Sequence, residues 1–448
     1  MTKNILILAC LFSISLTAQY SIKGTINPSN NYTWILLYKL ENGKKEFVNN
    51  ATVENGKFQL QLSEKEPNGI YRAYYQLENN LYVEFIYNNE EVTFKFDPNN
   101  PTETIEFSSS KENIIFQDYH TIISSNQKNL DSIQVEFFTS DNDQTDKILS
   151  EKYQKTRTKL QKNQNEFEKK SEGLLANHFI KASAQYNALV PFKNPQEYLD
   201  EIKNHFFDAV DFQDTVLGNS SFVNDRLTDY VFYLNQAKDQ ESKNILQKKA
   251  IDDAVNKVGV NPNILKNFEE SLLQNYVELE NNEMVNFVLN NYYTNLPDEF
   301  QDAALQYQIT AAMKTAIGKK ATDFSWEENG QAKNLYSLIG HDYYIVVFFS
   351  SGCPHCQVEI PEFHDFIKEI ENIKVISIGL EDEKEAWKKM TENYNEFTNI
   401  LDLDKWNSQK VKDYGITAIP SYFVLDASKN ILAKPNDFEE LKTMFETK

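Results

Sequence analysis

Cysteine is scarce in this chain. Among 448 residues there are 3, too few for a disulfide-built scaffold, so the cores must rest on apolar packing. No second CxxC accompanies the one at Cys353 and Cys356, and His364 is the one nearby histidine outside that motif. A zinc site needs about four ligands, so neither a metal nor any other cofactor is expected. After the first residues no apolar run is long enough to span a bilayer. No long run of one charge sign occurs either. With a formal net charge of −21, broad binding to nucleic acid or anionic lipid is excluded as an expectation, and the acidity reads as solubility.

What is present points to a multidomain, folded protein. The length exceeds one ordinary domain, and 41% hydrophobic with 13% aromatic residues argues against disorder. Residues 1–18 read as a signal peptide: Lys3 precedes an apolar or small run over 5–18, with polar Gln19 and Tyr20 after it. Cys10 falls inside that run, which continues through Leu11, Phe12, Ile14 and Leu16. This argues against a lipobox and for a soluble, periplasmic product with two cysteines left.

Three regions follow. Residues 19–110 alternate in the manner of strands, as in Lys57-Phe58-Gln59-Leu60-Gln61-Leu62 and Val92-Thr93-Phe94-Lys95-Phe96. Asn42-Gly43 and Asn55-Gly56 are turn signals. An all-β, sandwich-like domain is expected, with its tyrosines serving a half-buried pleated surface. Residues 111–316 form a helical region. Tyr153, Leu160, Phe167 and Leu174 recur every seventh residue, but the second apolar position of each heptad is mostly missing, so the spacing predicts a long helix lying on a neighbour. Further helices are expected over 210–234, 243–258, 262–279 and 282–293. His120, His178 and His205 are scattered and read as ordinary. Partner recognition, or a homodimer through this region, is its expected role. Residues 317–448 alternate strand and helix.

That last region holds the chemistry. Tyr343 to Phe349, YYIVVFF, reads as a central strand buried on both faces. Ser350, Ser351 and Gly352 turn the chain, and Cys353 opens a helix expected over 354–371. A disulfide across so short a loop stabilises little, so a redox role is favoured over a structural one. Disulfide exchange proceeds through a thiolate. A helix N-terminus aims unpaired N–H groups and the positive dipole end at Cys353, favouring that form. Cys356, one turn inward, is placed to resolve a mixed disulfide. Pro354 suits the first turn because its missing N–H is not needed there.

The strand–CxxC–helix unit is the thioredoxin signature, and the resemblance extends further. Pro361 lies five residues after Cys356, where thioredoxins carry a helix proline. Gly415 to Asp426, GITAIPSYFVLD, resembles the segment with the family's cis-proline, here Pro420. The distance from Cys356 to Pro420 is similar to that in the TlpA/ResA-like branch of exported thiol–disulfide oxidoreductases, which carries an extra strand–helix insertion. The resemblance covers about the last 130 residues. The β-rich and helical regions ahead of it look like the layout of large secreted bacterial TlpA-like proteins. It implies an α/β thioredoxin fold, Cys353 and Cys356 as a redox-active disulfide, protein thiols and disulfides as partners, and a membrane or soluble thiol redox partner.

The chain departs from the family at two places. Gly352 stands where thioredoxins carry Trp. The family's buried acid would fall near Val347, and its motif Glu is absent, leaving Glu359 as a candidate by proximity alone. CPHC is also the spelling of the oxidising DsbA, in which His355 would favour the Cys353 thiolate and so the reduced form. The build favours a reductase. A Dsb-like oxidase or isomerase, and a binding protein with an accessory thioredoxin domain, are the alternatives.

Overall fold

The strict alternation over 57–62 becomes a strand in which Phe58, Leu60 and Leu62 are buried while Lys57, Gln59 and Gln61 are exposed, the period of a half-buried sheet. The computed structural model describes residues 19–446 apart from 30–31, 42–43, 78 and 329. The expected leader, Cys10 and the Asn42-Gly43 turn lie outside the described residues. Two compact units divide the chain, Met1–Ser271 and Leu272–Lys448.

The first unit opens with eight strands: β1 (Gln19–Ile26), β2 (Trp34–Glu41), β3 (Lys44–Thr52), β4 (Lys57–Ser63), β5 (Gly69–Gln76), β6 (Leu81–Tyr87), β7 (Val92–Phe96) and β8 (Glu106–Ser109). A short helix α1 (Pro101–Thr104) precedes β8. The strands form two four-stranded sheets, ordered β4-β1-β7-β8 and β3-β2-β5-β6. Ile22, Leu37, Tyr71, Phe85 and Phe94 meet in the shared core. The Asn55-Gly56 turn has both residues at positive φ and closes on a Glu54–Lys57 bridge. It does not make a hairpin, because β3 and β4 belong to different sheets.

Two long helices follow, α2 (Lys111–Thr139) and α3 (Asp143–Lys170). The seven-residue spacing has a physical cause in part: Tyr153, with Leu149, packs on Leu130, Ile133 and Phe137 of α2, and Phe167 packs on Tyr119, while Leu174 lies beyond the end of α3. Beyond them come α4 (Ala176–Ala182), α5 (Pro195–Asn204), α6 (Thr215–Gly218), α7 (Phe222–Phe232), α8 (Gln240–Val258) and α9 (Pro262–Glu278), the last crossing the division between units. Buried Glu112 ties α4 to α2, accepting from the Leu175 and Ala176 N–H groups at 3.0 and 2.7 Å. The helix expected over 210–234 is interrupted. Gly218 ends α6, and Ser220 Oγ donates to Leu217 O at 2.6 Å and accepts from Phe222 N at 3.1 Å, the local side-chain bonding that competes with helix.

Glu269 in α9 is 2% exposed, and its Oε2 has no hydrogen-bond partner among the described residues. Burial first, and then Glu270, pushes its carboxyl up to about 8. Below the ordinary carboxylate range the group is protonated in both the folded and the unfolded chain and contributes nothing. From there to about pH 8 the unfolded chain ionises it and the folded chain does not, so stability falls as pH rises. Glu269→Gln is therefore expected to raise stability at pH 8 by on the order of 2 kcal/mol and to leave it unchanged near pH 4. Urea unfolding midpoints at the two pH values check this; an equal effect at both would overturn it.

The second unit contains α10 (Asn282–Asn291), α11 (Ala303–Lys314), and a hairpin of β9 (Ser325–Glu328) and β10 (Gln331–Asn334). Then come β11 (Tyr343–Phe349), α12 (Pro354–Ile367), β12 (Ile373–Leu380), α13 (Lys384–Thr391), β13 (Thr398–Asp402), α14 (Gln409–Tyr414), β14 (Ser421–Asp426), β15 (Ile431–Ala433) and α15 (Phe438–Glu446). The sheet order is β13-β12-β11-β14-β15, with β12 parallel and β14 antiparallel to the central β11. Tyr344 to Phe349 are all fully buried because cores lie on both faces. Ile360, Phe363 and Leu441 pack on one, and Val411, Tyr414 and Leu335 on the other. Strands β13 and β15 are too short to stand out in the sequence. Among the described residues no helix is long and apolar enough to cross a membrane.

Candidate functional site

Central strand β11 delivers the chain to one end of its sheet, and residues 350–352 turn it into α12. Cys353 is the N-cap of that helix, and Pro354 occupies its first turn, where the absent N–H leaves no bond unmade. The Cys353 Sγ does the work of a capping oxygen. It accepts from the Cys356 N–H at 3.3 Å, satisfying one of the helix's free donors. Cys353 is partly exposed; Cys356 is fully buried, and both thiols are free. Burial first, and then the bond to Cys353, pushes the Cys356 thiol up to about 12. Pro361 sits inside α12, where it cannot donate to the Gln357 carbonyl.

The Ile419–Pro420 peptide is cis, and Ile419 O lies 3.8 Å from Cys353 Sγ. Gly415, in the left-handed conformation after α14 (φ 63°), starts this segment. Pro420 is buried. The structure thus brings Cys353, Cys356 and the Pro420 segment to one place.

Residues 317–434 match the family model AhpC/TSA family. The second unit carries a thioredoxin-like domain. Ahead of it, residues 20–116 match a model described as a domain of unknown function, DUF4369. No curated protein matches the chain. Among solved structures the chain is similar to a thioredoxin-like protein from Bacteroides caccae ATCC 43185, with 21% identity and a TM-score of 0.41 over 57% of this chain and 94% of that one. It is also similar to the thioredoxin domain of a thiol-disulfide oxidoreductase from Bacteroides vulgatus, at 22% identity, TM-score 0.26, 30% of this chain and 96% of that one. A third is a thiol-disulfide oxidoreductase from Bacteroides fragilis NCTC 9343, at 23% identity, TM-score 0.26, 29% and 98%.

In the thioredoxin-like domain the acid beside the dithiol comes from helix α12, not from the strand. Val347 faces the core at the position expected for a buried acid and pairs across β11 and β14 with Tyr422. Glu359 is 8% exposed and lies one helical turn after Cys356, on the same helix face. Its Oε1 accepts from the Tyr422 hydroxyl at 2.8 Å and the Phe438 N–H at 2.9 Å. Burial, and then the Glu359 charge, raises the Tyr422 hydroxyl far above its ordinary range, so it stays protonated and donates.

His355 does not take the position beside Cys353 that the CPHC spelling suggests. Its ring is mostly exposed, yet Nε2 lies 2.7 Å from Glu359 Oε2, the i, i+4 spacing of a helix pair. The imidazole therefore faces the carboxylate; among the described residues it makes no hydrogen bond to Cys353.

A second acid of the thioredoxin-like domain was missed from sequence. Glu381 is 5% exposed and follows β12, the parallel neighbour of β11. Its carboxylate accepts from Ser351 N at 2.5 Å, Ser351 Oγ at 2.8 Å and Ser350 Oγ at 3.4 Å. Gln357 Nε2 donates to Ser351 O at 2.7 Å. Together they fix the turn that presents Cys353. The available signal was an acid directly after a buried strand that pairs in parallel with the motif strand.

Proposed function

We propose that this chain is an exported thiol–disulfide oxidoreductase acting on protein partners in the periplasm, and that it runs as a reductase. The observation that carries the reading is the pairing of an accessible N-cap thiol, Cys353, with a buried thiol, Cys356, that has a carboxylate one turn away. Cys353, as thiolate, attacks one sulfur of a partner disulfide. The partner S–S bond breaks, a mixed disulfide forms, and the first partner sulfur leaves as a thiolate that takes a proton from water. Cys356 then gives its proton to Glu359 and attacks Cys353 Sγ. The Cys353–Cys356 bond forms, the mixed disulfide breaks, and the second partner sulfur leaves as a thiolate that takes a proton from water, while Glu359 returns its proton to water. Two electrons pass from the dithiol to the partner. A separate thiol redox partner, soluble or in the membrane, restores the dithiol. The Ile419 main chain lies beside Cys353, its carbonyl 3.8 Å from the sulfur, where an extended partner segment can pair.

The direction rests on His355. An imidazole over Cys353 would favour the thiolate and raise the reduction potential. Here the imidazole is engaged by Glu359, which removes the main reason to read CPHC as an oxidant. The expected potential is nearer thioredoxin's ~−270 mV than DsbA's ~−120 mV. Equilibration of the pair with glutathione measures it, and a value near the oxidising end would overturn the reductase reading.

His355→Ala separates the two placements. With the ring on Glu359, the substitution should move the potential by less than ~30 mV, a factor of about ten in the equilibrium. It should slow the resolution of a mixed disulfide by roughly three- to ten-fold, the scale of one lost hydrogen bond. A large negative shift in potential would put the imidazole back over Cys353.

A further inference from the structure

The first unit contains a place where a sheet edge opens into a cleft. Strands β6 and β8 are edge strands of the two sheets, and α2 covers the end of each with one side-chain amide. Asn113, buried, donates Nδ2 to Ile86 O at 2.7 Å and accepts from Ile86 N at 2.8 Å. Gln117 acts similarly at the start of β8, donating to the carbonyl of Ile105 just ahead of the strand and accepting from Phe107 N at 3.3 Å. Each amide makes the pair of bonds that a neighbouring strand would make. In an antiparallel ladder the outward-facing main-chain groups recur every second residue. Since Ile86 points its N–H and C=O away from β5, so does Glu84. Glu84 has no such amide: among the described residues, no hydrogen bond is made to its outward groups. It lines a cleft of about 930 Å³ bordered by β6, α1, β8, α2, α4 and α7.

We propose that this cleft binds an extended segment of another polypeptide, which adds to the β6 edge at Glu84 and runs on along α2. Length argues for a polypeptide over a small molecule. Helices α2 and α7 also line a second cavity of about 360 Å³, and α2 contributes residues from Asn113 to Phe138 across the two. That stretch is about 38 Å of helix, which a strand of about eleven residues matches. In the second cavity Arg226 has a buried Nε–H without an acceptor, a donor suited to a main-chain carbonyl. The character of the segment follows from the walls. Phe107, Phe116, Phe179 and Phe222 offer apolar contact, while Glu103 and Asp225 outweigh Lys128 in charge; the Glu84 carboxylate is paired with Arg72 at 2.7 Å. The bound segment is therefore apolar and basic, and its backbone pairs in the manner of strand addition. Nothing in this recognition needs a thiol.

The test uses the full chain and a cysteine-free, fluorescein-labelled dodecapeptide alternating valine and lysine, followed by fluorescence anisotropy. Saturable binding is expected, and it should persist in the Cys353→Ser/Cys356→Ser double variant, so the outcome is independent of the redox reading. Two further peptides are N-methylated, one on every lysine and one on every valine. At least one should bind about ten-fold or more weakly, because one alternate set of N–H groups faces β6. Glu84→Pro removes the outward N–H without touching the ladder to β5, a change edge strands tolerate, and should weaken binding about as much. Glu84→Gln keeps that N–H and should bind within about three-fold of wild type. Absence of saturable binding by the unmodified peptide would overturn the proposal. So would undiminished binding by both N-methylated peptides, which needs no variant to fold.

Discussion

Cys356→Ser is expected to accumulate a covalent adduct with oxidised partner proteins, whereas Cys353→Ser loses disulfide exchange by on the order of 10³-fold or more. The asymmetry follows from where the two sulfurs lie. Cys353 is partly exposed at the mouth of α12, and its Sγ holds the Cys356 N–H at 3.3 Å, which supports negative charge on that sulfur. Cys356 is fully buried, so a partner disulfide cannot reach it. With Cys356 replaced, the first exchange proceeds and the second has no attacking thiol. The adduct is then released only by external reductant. With Cys353 replaced, the remaining thiol is both inaccessible and held protonated by burial. Non-reducing electrophoresis after mixing each variant with oxidised insulin reads the result. Equal adduct yields from the two variants would reverse or cancel the assignment of attacking and resolving thiols.

The parts of this site that are local in sequence could be read from it. The apolar run of β11, the two cysteines and the Pro420 segment each carry their own pattern. The same holds in part for α3, where Tyr153 and Phe167, two of the residues spaced by seven, pack on α2. What escaped depends on contacts between distant segments. Glu359 was a candidate by proximity alone because its partners, Tyr422 and Phe438, are 63 and 79 residues away. Glu381 meets Ser351 across 30 residues, through a parallel strand pairing that no periodicity announces. His355 is the instructive case. Its i, i+4 spacing to Glu359 was readable, but the CPHC spelling drew attention to the cysteine. The broken helix over 210–234 was concealed for a different reason. Its apolar residues continue on both sides of Gly218, but Asp214 caps a new start at Thr215, and Gly218 with the Ser220 hydroxyl ends that turn before α7.

Glu359→Gln is expected to slow resolution of the mixed disulfide by about 100-fold, the lower range for loss of a positioned proton acceptor. The sign of the effect distinguishes two roles for the carboxylate. Burial is the largest cause of the high Cys356 value of about 12, and the nearby Glu359 charge adds to it. If Glu359 acted on Cys356 as a repelling charge alone, replacing it with neutral Gln would make the thiol more acidic and resolution faster. If Glu359 takes the proton, the variant must deprotonate Cys356 through solvent. A buried thiol held above its ordinary range is almost wholly protonated at pH 7, so resolution slows and then rises roughly ten-fold per pH unit. Gln is the informative substitution because it preserves an oxygen for the Tyr422 hydroxyl and the Phe438 N–H. Ala would leave those two buried donors unpaired, each at a cost of about 1–3 kcal/mol, and confuse a chemical effect with a structural one. Stopped-flow decay of a mixed disulfide preformed between Cys353 and a fluorescent thiol isolates the step. A faster decay in Glu359→Gln, or an unchanged pH dependence, would remove proton transfer from the role of Glu359 and leave Cys356 to be deprotonated by water.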